Sequence, residues 1–272
     1  MRRRFIDLPD GRGQLHVREH TPLVNGAKVP LVLLHAAPGS ALMLEPLQTR
    51  FTRHSIAIDL PGMGDSTPLP ASDREADIGD FTAPVAAGLS ALDFGAFDVY
   101  ATLSGVRVAL ELATTTTLPI RKLILDGIGL PKPDQMPDLL EHYAPAFVPD
   151  INGGHLLNTF ALCRDQYLFY PWYARDAEHR RPGGLPNAAA LHTKTMEALK
   201  SAAVFRPLIR AAFRYDCAAK LKALKQPALI SGDGAAVRPD YPVLTEPPAE
   251  PLTATSDNLD KRAAQMNAFL DG

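Results

Sequence analysis

Long apolar runs are missing from this chain: no stretch approaches the ~18 apolar residues that a membrane-crossing helix needs. A dominant sign of charge is missing as well. Lys and Arg number 28 against 30 Asp and Glu, a formal net charge of −2. That balance gives no reason to expect a nucleic-acid or anionic-membrane partner. Cysteine is scarce. The two present, Cys163 and Cys217, form neither metal-ligand spacing nor a disulfide framework, and no metal site is expected from them. A reducing compartment is the default. The opening "MRRRFIDLPDGRG" is basic but has no apolar core behind it, so a cytoplasmic protein is expected rather than a secreted one. Histidine gives out early: none follows His192.

What is present is an ordinary globular composition, 46% apolar and 21% charged over 272 residues, enough for a large core. "RRRFIDLP" and "GQLHVREH" alternate apolar and polar residues around "DGRG", which predicts an antiparallel hairpin. Continuous apolar runs at Leu31 to Leu34, Ile56 to Ile58, Val99 to Ala101, Leu123 to Leu125 and Ala228 to Ile230 predict strands buried on both faces. Helices are expected from about Ala41, over Ile78 to Leu92, after the third buried run, and over "DNLDKRAAQMNAFL" at the end. Strands alternating with helices predict a mostly parallel sheet with helices on both faces. Between about Leu130 and Ala223 the alternation stops. The natural parse is a core of residues 1–129 and 224–272 with an inserted helical cap over 130–223. "AAVRPDYPVLTEPPAEP", rich in proline, reads as a loop.

One stretch raises a question of its own. "VYATLSGVRVALELA" is a strand, a tight turn and a helix, with small residues at Ala101 and Gly105. A strained strand-to-helix turn of this kind ordinarily presents a nucleophile. The residue midway between the small ones is Leu103. Shifting the frame to make Ser104 the apex would put Thr102 and Val106 where the two backbones nearly touch, and β-branched side chains are poorly suited there.

Four motifs in order resemble the α/β-hydrolase superfamily. "LLHAAPGS" resembles its His-Gly motif, with Ala36 in place of the glycine. "DLPGMGDS" resembles its Asp-x-Pro-Gly-x-Gly-x-Ser turn. "VYATLSGVRVALELA" resembles the elbow and its helix, and "PALISGDGAAVRP" the strand carrying the acid. The resemblance implies an α/β-hydrolase fold with an inserted cap. It also locates three losses. The nucleophile's place is Leu103, the acid's place falls at Ala235 with Asp233 nearby, and the histidine should lie around Leu252 to Ser256. In a protein working through such a triad, losing the serine or the histidine costs about 10⁶ in turnover.

The resemblance implies two oxyanion donors, the backbone N–H groups of Ala37 and Ser104, which side-chain changes need not remove. Leu103 is then either an apolar floor beside them or a filler of a vacated site. Asp126, at the end of a buried strand, is either a relocated acid or a turn former. His35 either organises the oxyanion loop or does acid–base work. In the cap, "RDQYLFYPWYARD" gathers aromatics beside Arg164 and Asp165. Tyr167 and Trp172 either face a ligand or form the cap's small core. His155, after a glycine pair at a helix start, is the first choice for a proton carrier.

Two functions follow. One is a cofactor-independent enzyme without a serine nucleophile, holding a small carbonyl compound between core and cap and moving protons by lyase, isomerase or cyclase chemistry. The other is a non-catalytic small-molecule-binding protein; a hydrolase with relocated groups stands third. A proton-transfer pair in the pocket favours the first and an apolar pocket the second. The oligomeric state is not legible.

Overall fold

The hairpin forms from β1 (Arg2–Asp7) and β2 (Gln14–His20), with Arg4 opposite Val17 and Ile6 opposite Leu15. The buried runs become β3 (Leu31–Leu34), β4 (Ser55–Ile58), β5 (Phe97–Thr102), β6 (Ile120–Ile128) and β7 (Ala228–Gly232). The computed structural model describes residues 1–23, 28–92, 94–245 and 254–272. Its seven strands form one sheet in the order β1-β2-β4-β3-β5-β6-β7. β2 pairs antiparallel with β1 and β4, and every pairing among β3 to β7 is parallel. All five inner strands expected from the sequence lie in it.

Strand periodicity divides the core between two faces. Val32 and Leu34 point into one cluster and Leu31 and Leu33 into the other. The first face is covered by α2 (Ile78–Ala91) and α3 (Gly105–Thr115). α2 starts at a capping box in which Asp77 accepts the Asp80 N–H and Asp80 accepts the Asp77 N–H. The second face is covered by α1 (Glu45–Gln48) and the last helix. The helix expected from Ala41 is short: a 3₁₀ turn over Ala41–Leu44 followed by the single turn of α1.

Between β6 and β7 lie α4 (Met136–His142), α5 (Gly154–Leu168), α6 (Ala188–Lys200), α7 (Phe205–Arg214) and α8 (Cys217–Ala223). α5 and α6 pack on each other around Leu162, Leu191 and Ala198, a cluster separate from the main core. α7 joins the two bodies. Its Phe205 and Ile209 belong to that smaller cluster, whereas Leu208, Ala211 and Ala212 belong to the main one. α8 packs on α3 with Cys217 and Leu221 in the main core. The chain returns through β7, the short α9 (Gly234–Val237) and α10 (Ser256–Asp271). Of the expected proline-rich loop, residues 246–253 lie outside the described residues.

Candidate functional site

At the strand-to-helix elbow, Leu103 has φ 49°, in the left-handed region. For a leucine that conformation costs roughly 1–2 kcal/mol. It is held by the Leu103 N–H donating to the Asp126 carbonyl at 2.8 Å and by Leu103's own carbonyl accepting from Val106. Gly105 lets α3 touch β3: a Cβ there would sit 2.5 Å from the His35 carbonyl oxygen. Leu103 is the apex, about half exposed, and it leans over Gly127, whose Cβ, if present, would meet it at 2.7 Å. Ser104 is buried and helical in backbone. The unshifted frame is the one that the backbone adopts.

The side chains around the apex are engaged with neighbouring backbone groups. The Ala37 N–H donates to Ser104 Oγ at 2.8 Å, so one of the two donors expected for an oxyanion is already satisfied from inside. His35 is fully buried. Its Nε2 accepts the Leu60 N–H at 3.0 Å, which leaves the proton on Nδ1 to be donated to the Ala36 carbonyl at 2.8 Å. Burial pulls its pKa below the ordinary histidine value, outweighing the Asp59 charge that works the other way. A neutral, doubly bonded imidazole ties two loops together and has no free nitrogen for acid–base work.

Asp126 faces the α10 layer. One carboxylate oxygen accepts from Tyr100 at 3.0 Å and pairs with Arg262 of α10, and the other accepts from Ser231 at 2.7 Å. Ser231 in turn accepts the Gly127 N–H at 2.7 Å. Both ions are 1% exposed, and burial, with Asp126 adding to it, drives the Tyr100 pKa well up. This network locks β5, β6, β7 and α10 together. Asp233 accepts the Leu130 N–H at 2.8 Å and so fastens the chain where it leaves the sheet. Of the expected histidine position, 252 and 253 lie outside the described residues, while 254–256 read Ala-Thr-Ser.

The helices between β6 and β7, where a cap is expected from the sequence, present a different picture. A half-open cavity of about 370 Å³ is lined by Phe147, Asp150, His155, Asn158, Trp172 and Arg175, among others. His155 and Trp172, both singled out from the sequence, meet here. His155 Nδ1 accepts the Asp150 N–H at 3.1 Å, so the ring proton sits on Nε2. The Trp172 indole N–H donates to the Tyr143 carbonyl at 2.8 Å, which fixes the ring as a wall. Arg175 is half exposed and forms an ion pair with buried Asp165, its Nε 2.8 Å from the carboxylate. Arg164 and Tyr167 are not among the residues lining it. Arg164 holds the other side of Asp165 at 2.7 Å, and the Tyr167 ring lies 4.3 Å from the Lys194 ammonium. Tyr143, Tyr170 and Phe213 pack as a cluster of rings, part of the cap's structure. The cavity lies within the cap, and Ala37, Leu103 and Ser104 do not line it. Phe147, Asn158 and Arg175 escaped sequence reasoning, although Arg175 sits in the aromatic stretch already noted.

His16, Asp59 and Asp65 come near enough together to hold a cation. Their atoms serve hydrogen bonds instead. His16 bridges Arg3 (3.1 Å) and Asp59 (2.8 Å), and Asp65 pairs with Arg3 and with Lys200. Two cations beside the cluster oppose a third. Among the described residues, no helix is long and apolar enough to cross a membrane.

Comparison with known proteins agrees with the architecture. A family model described as the alpha/beta hydrolase family matches residues 31–268. No curated protein matches the chain. Among solved structures, epoxide hydrolase A from Mycobacterium thermoresistibile is similar at TM-score 0.69 and 17% identity, covering 100% of this chain and 98% of that one. The enol-lactonase from Burkholderia xenovorans is similar at TM-score 0.67 and 15% identity, over 99% and 100%. E-2-(acetamidomethylene)succinate hydrolase gives 0.64 and 17%, over 100% and 99%.

Proposed function

Because the chain belongs to the alpha/beta hydrolase family, matched over residues 31–268, we propose that it has kept the scaffold, given up hydrolysis at the elbow, and binds a small carbonyl-containing molecule in its cap. One observation carries this reading. The Ser104 hydroxyl accepts the Ala37 N–H beside an apex that is leucine. An elbow without a nucleophile can still polarise a carbonyl only if its donors are free, and here one of them is internally satisfied. The cap cavity supplies what the elbow lacks. His155 Nε2–H, Asn158 and Arg175 are donors for a carbonyl oxygen, with Phe147 and Trp172 as apolar walls.

A second reading keeps turnover, with His155 as proton carrier. What favours it is a ring in the wall of a ligand-sized space whose Nδ1 is held by the Asp150 N–H, so that Nε2–H acts as a donor, a general acid rather than a base. Binding and turnover separate by experiment. The purified protein is titrated with small ketones, carboxylic acids and esters and read by calorimetry, and each binder is then followed for product by mass spectrometry. The binding reading expects heat without product, and loss of binding in Arg175→Gln and Asn158→Ala. Product formation abolished by His155→Ala would favour the second reading. Activated-ester hydrolysis well above background in wild type would overturn both.

A further inference from the structure

Among the described residues three arginines are buried: Arg53, Arg107 and Arg262. Two have carboxylate partners. Arg53 meets Asp98 at 3.1 Å and Asp271 at 2.6 Å, and Arg262 pairs with Asp126. Arg107, on α3 one turn after the elbow, is 6% exposed and has no carboxylate in ion-pair range among the described residues. Its Nη atoms donate to two backbone carbonyls, Leu103 and Gly129. Its Nε has no partner. A guanidinium cannot escape burial by giving up its proton, as a lysine or histidine can. A buried cation ordinarily has a counter-charge.

Arg107 lines a second cavity, of about 190 Å³, together with Leu130, Met136, Phe213, Cys217 and Asp216. It lies at the base of α8 and is separate from the cap cavity. Apart from Arg107 and the Asp216 rim, those walls are apolar or weakly polar. A closed apolar cavity of about 150 Å³ holds a benzene ring, and this cleft, open to solvent and partly polar, has room for a body of that size. The nearby acids are engaged elsewhere: Asp216 accepts the Ala219 N–H at 2.9 Å and Asp233 the Leu130 N–H at 2.8 Å. The Arg107 charge is felt across the cavity. It works against the burial that pushes the Cys217 thiol up and, beyond the lining, against the burial that raises the Tyr170 hydroxyl.

We infer that this second cavity is a binding site for a small monocarboxylate with an apolar body of about one ring, its carboxylate drawn by the charge of the Arg107 guanidinium in the cavity wall. The Asp216 carboxylate on the rim selects against a second negative charge. The inference is independent of the cap cavity and of whether the elbow is silent. If the cap reading fails, this one stands or falls by its own test.

The test titrates the full chain with benzoate and with benzyl alcohol, its uncharged counterpart, by calorimetry at fixed ionic strength, alongside chloride alone. Benzoate is expected to bind at least about tenfold more tightly than benzyl alcohol. Ala218→Phe fills part of the cavity from α8 while leaving residue 107 an arginine, and should weaken benzoate by at least about tenfold. Arg107→Lys should retain part of the affinity and Arg107→Gln should lose it. Should Arg107→Gln fail to fold, Ala218→Phe and the benzyl alcohol comparison carry the test. Equal binding of acid and alcohol, no binding of benzoate, an unchanged affinity in folded Ala218→Phe, or a response to chloride as strong as to benzoate would each overturn the proposal.

Discussion

The elbow and the cap cavity are both places where this fold can bring polar groups together, and they differ in what those groups are doing. At the elbow, Ser104 Oγ holds the Ala37 N–H, both nitrogens of His35 are occupied, and Asp126 lies within a four-member buried network. In the cap, His155 has a defined tautomer with its Nε2 proton available, and Arg175 uses only Nε on Asp165. In the first region the side chains are engaged within the protein, and in the second donors are left beside a cavity. On the proposed reading the elbow keeps its backbone shape while its side-chain polar atoms turn inward. The strained backbone at Leu103 persists because Gly105 and the Asp126 carbonyl hold it, whatever the side chain does.

The contrast breaks most visibly at Asp126. If that carboxylate is a structural ion, Arg262→Met should destabilise the fold by about 3–5 kcal/mol, because an unpaired buried charge remains. Ester hydrolysis should stay at background throughout. Urea unfolding monitored by circular dichroism measures the first, and a chromogenic ester the second. A variant as stable as wild type would show that the network carries little.

Gly105→Ala comes next. Its Cβ would press on the His35 and Leu34 carbonyls at 2.5 and 2.9 Å, so about 1–3 kcal/mol should be lost to overpacking. Ligand binding in the cap should not change. A coupled loss of cap binding would mean that the two regions act as one site.

The smallest effect is one of pH. His35 has a folded pKa held below its unfolded value by burial. It therefore stabilises the fold at neutral pH, and that contribution is lost as pH falls through about 6.5 towards the folded value. Unfolding free energy should decline from about pH 7 to pH 5, and His35→Gln should flatten that decline. An equal slope in wild type and variant would show that His35 is not the responsible group.

Much of the fold was legible because its signals are local and periodic. The four-residue apolar runs at Leu31 and Ile56 and the hairpin around Gly11 need no knowledge of partners. The elbow's frame was legible too, since small residues at Ala101 and Gly105 answer to a steric demand of the backbone. Side-chain partnerships were not. That Ser104 would take the Ala37 N–H depends on two loops 67 residues apart, and Asp126 finds Arg262 across 136 residues. Arg107 left a fainter trace: it is a buried charge one turn after the elbow, flanked in sequence by buried Val106 and Val108. The division of α7 between two cores likewise depends on where the cap sits, which periodicity alone does not report.

The most direct test of a silent elbow is to restore its nucleophile alone. Leu103→Ser places a hydroxyl at the apex, but the chain has no histidine beyond His192, and His35 has no free nitrogen. A serine without an adjacent base is a poor nucleophile at neutral pH. Burst-phase hydrolysis of an activated ester, with intact-mass detection of phosphonate labelling, should therefore show no stoichiometric adduct in wild type or variant. Residual rate in Leu103→Ser should not exceed the ~10³–10⁴ over water that binding and backbone donors alone can give. Rapid turnover with a phosphonate adduct on residue 103 would mean that a base already stands beside the apex, and would contradict the account.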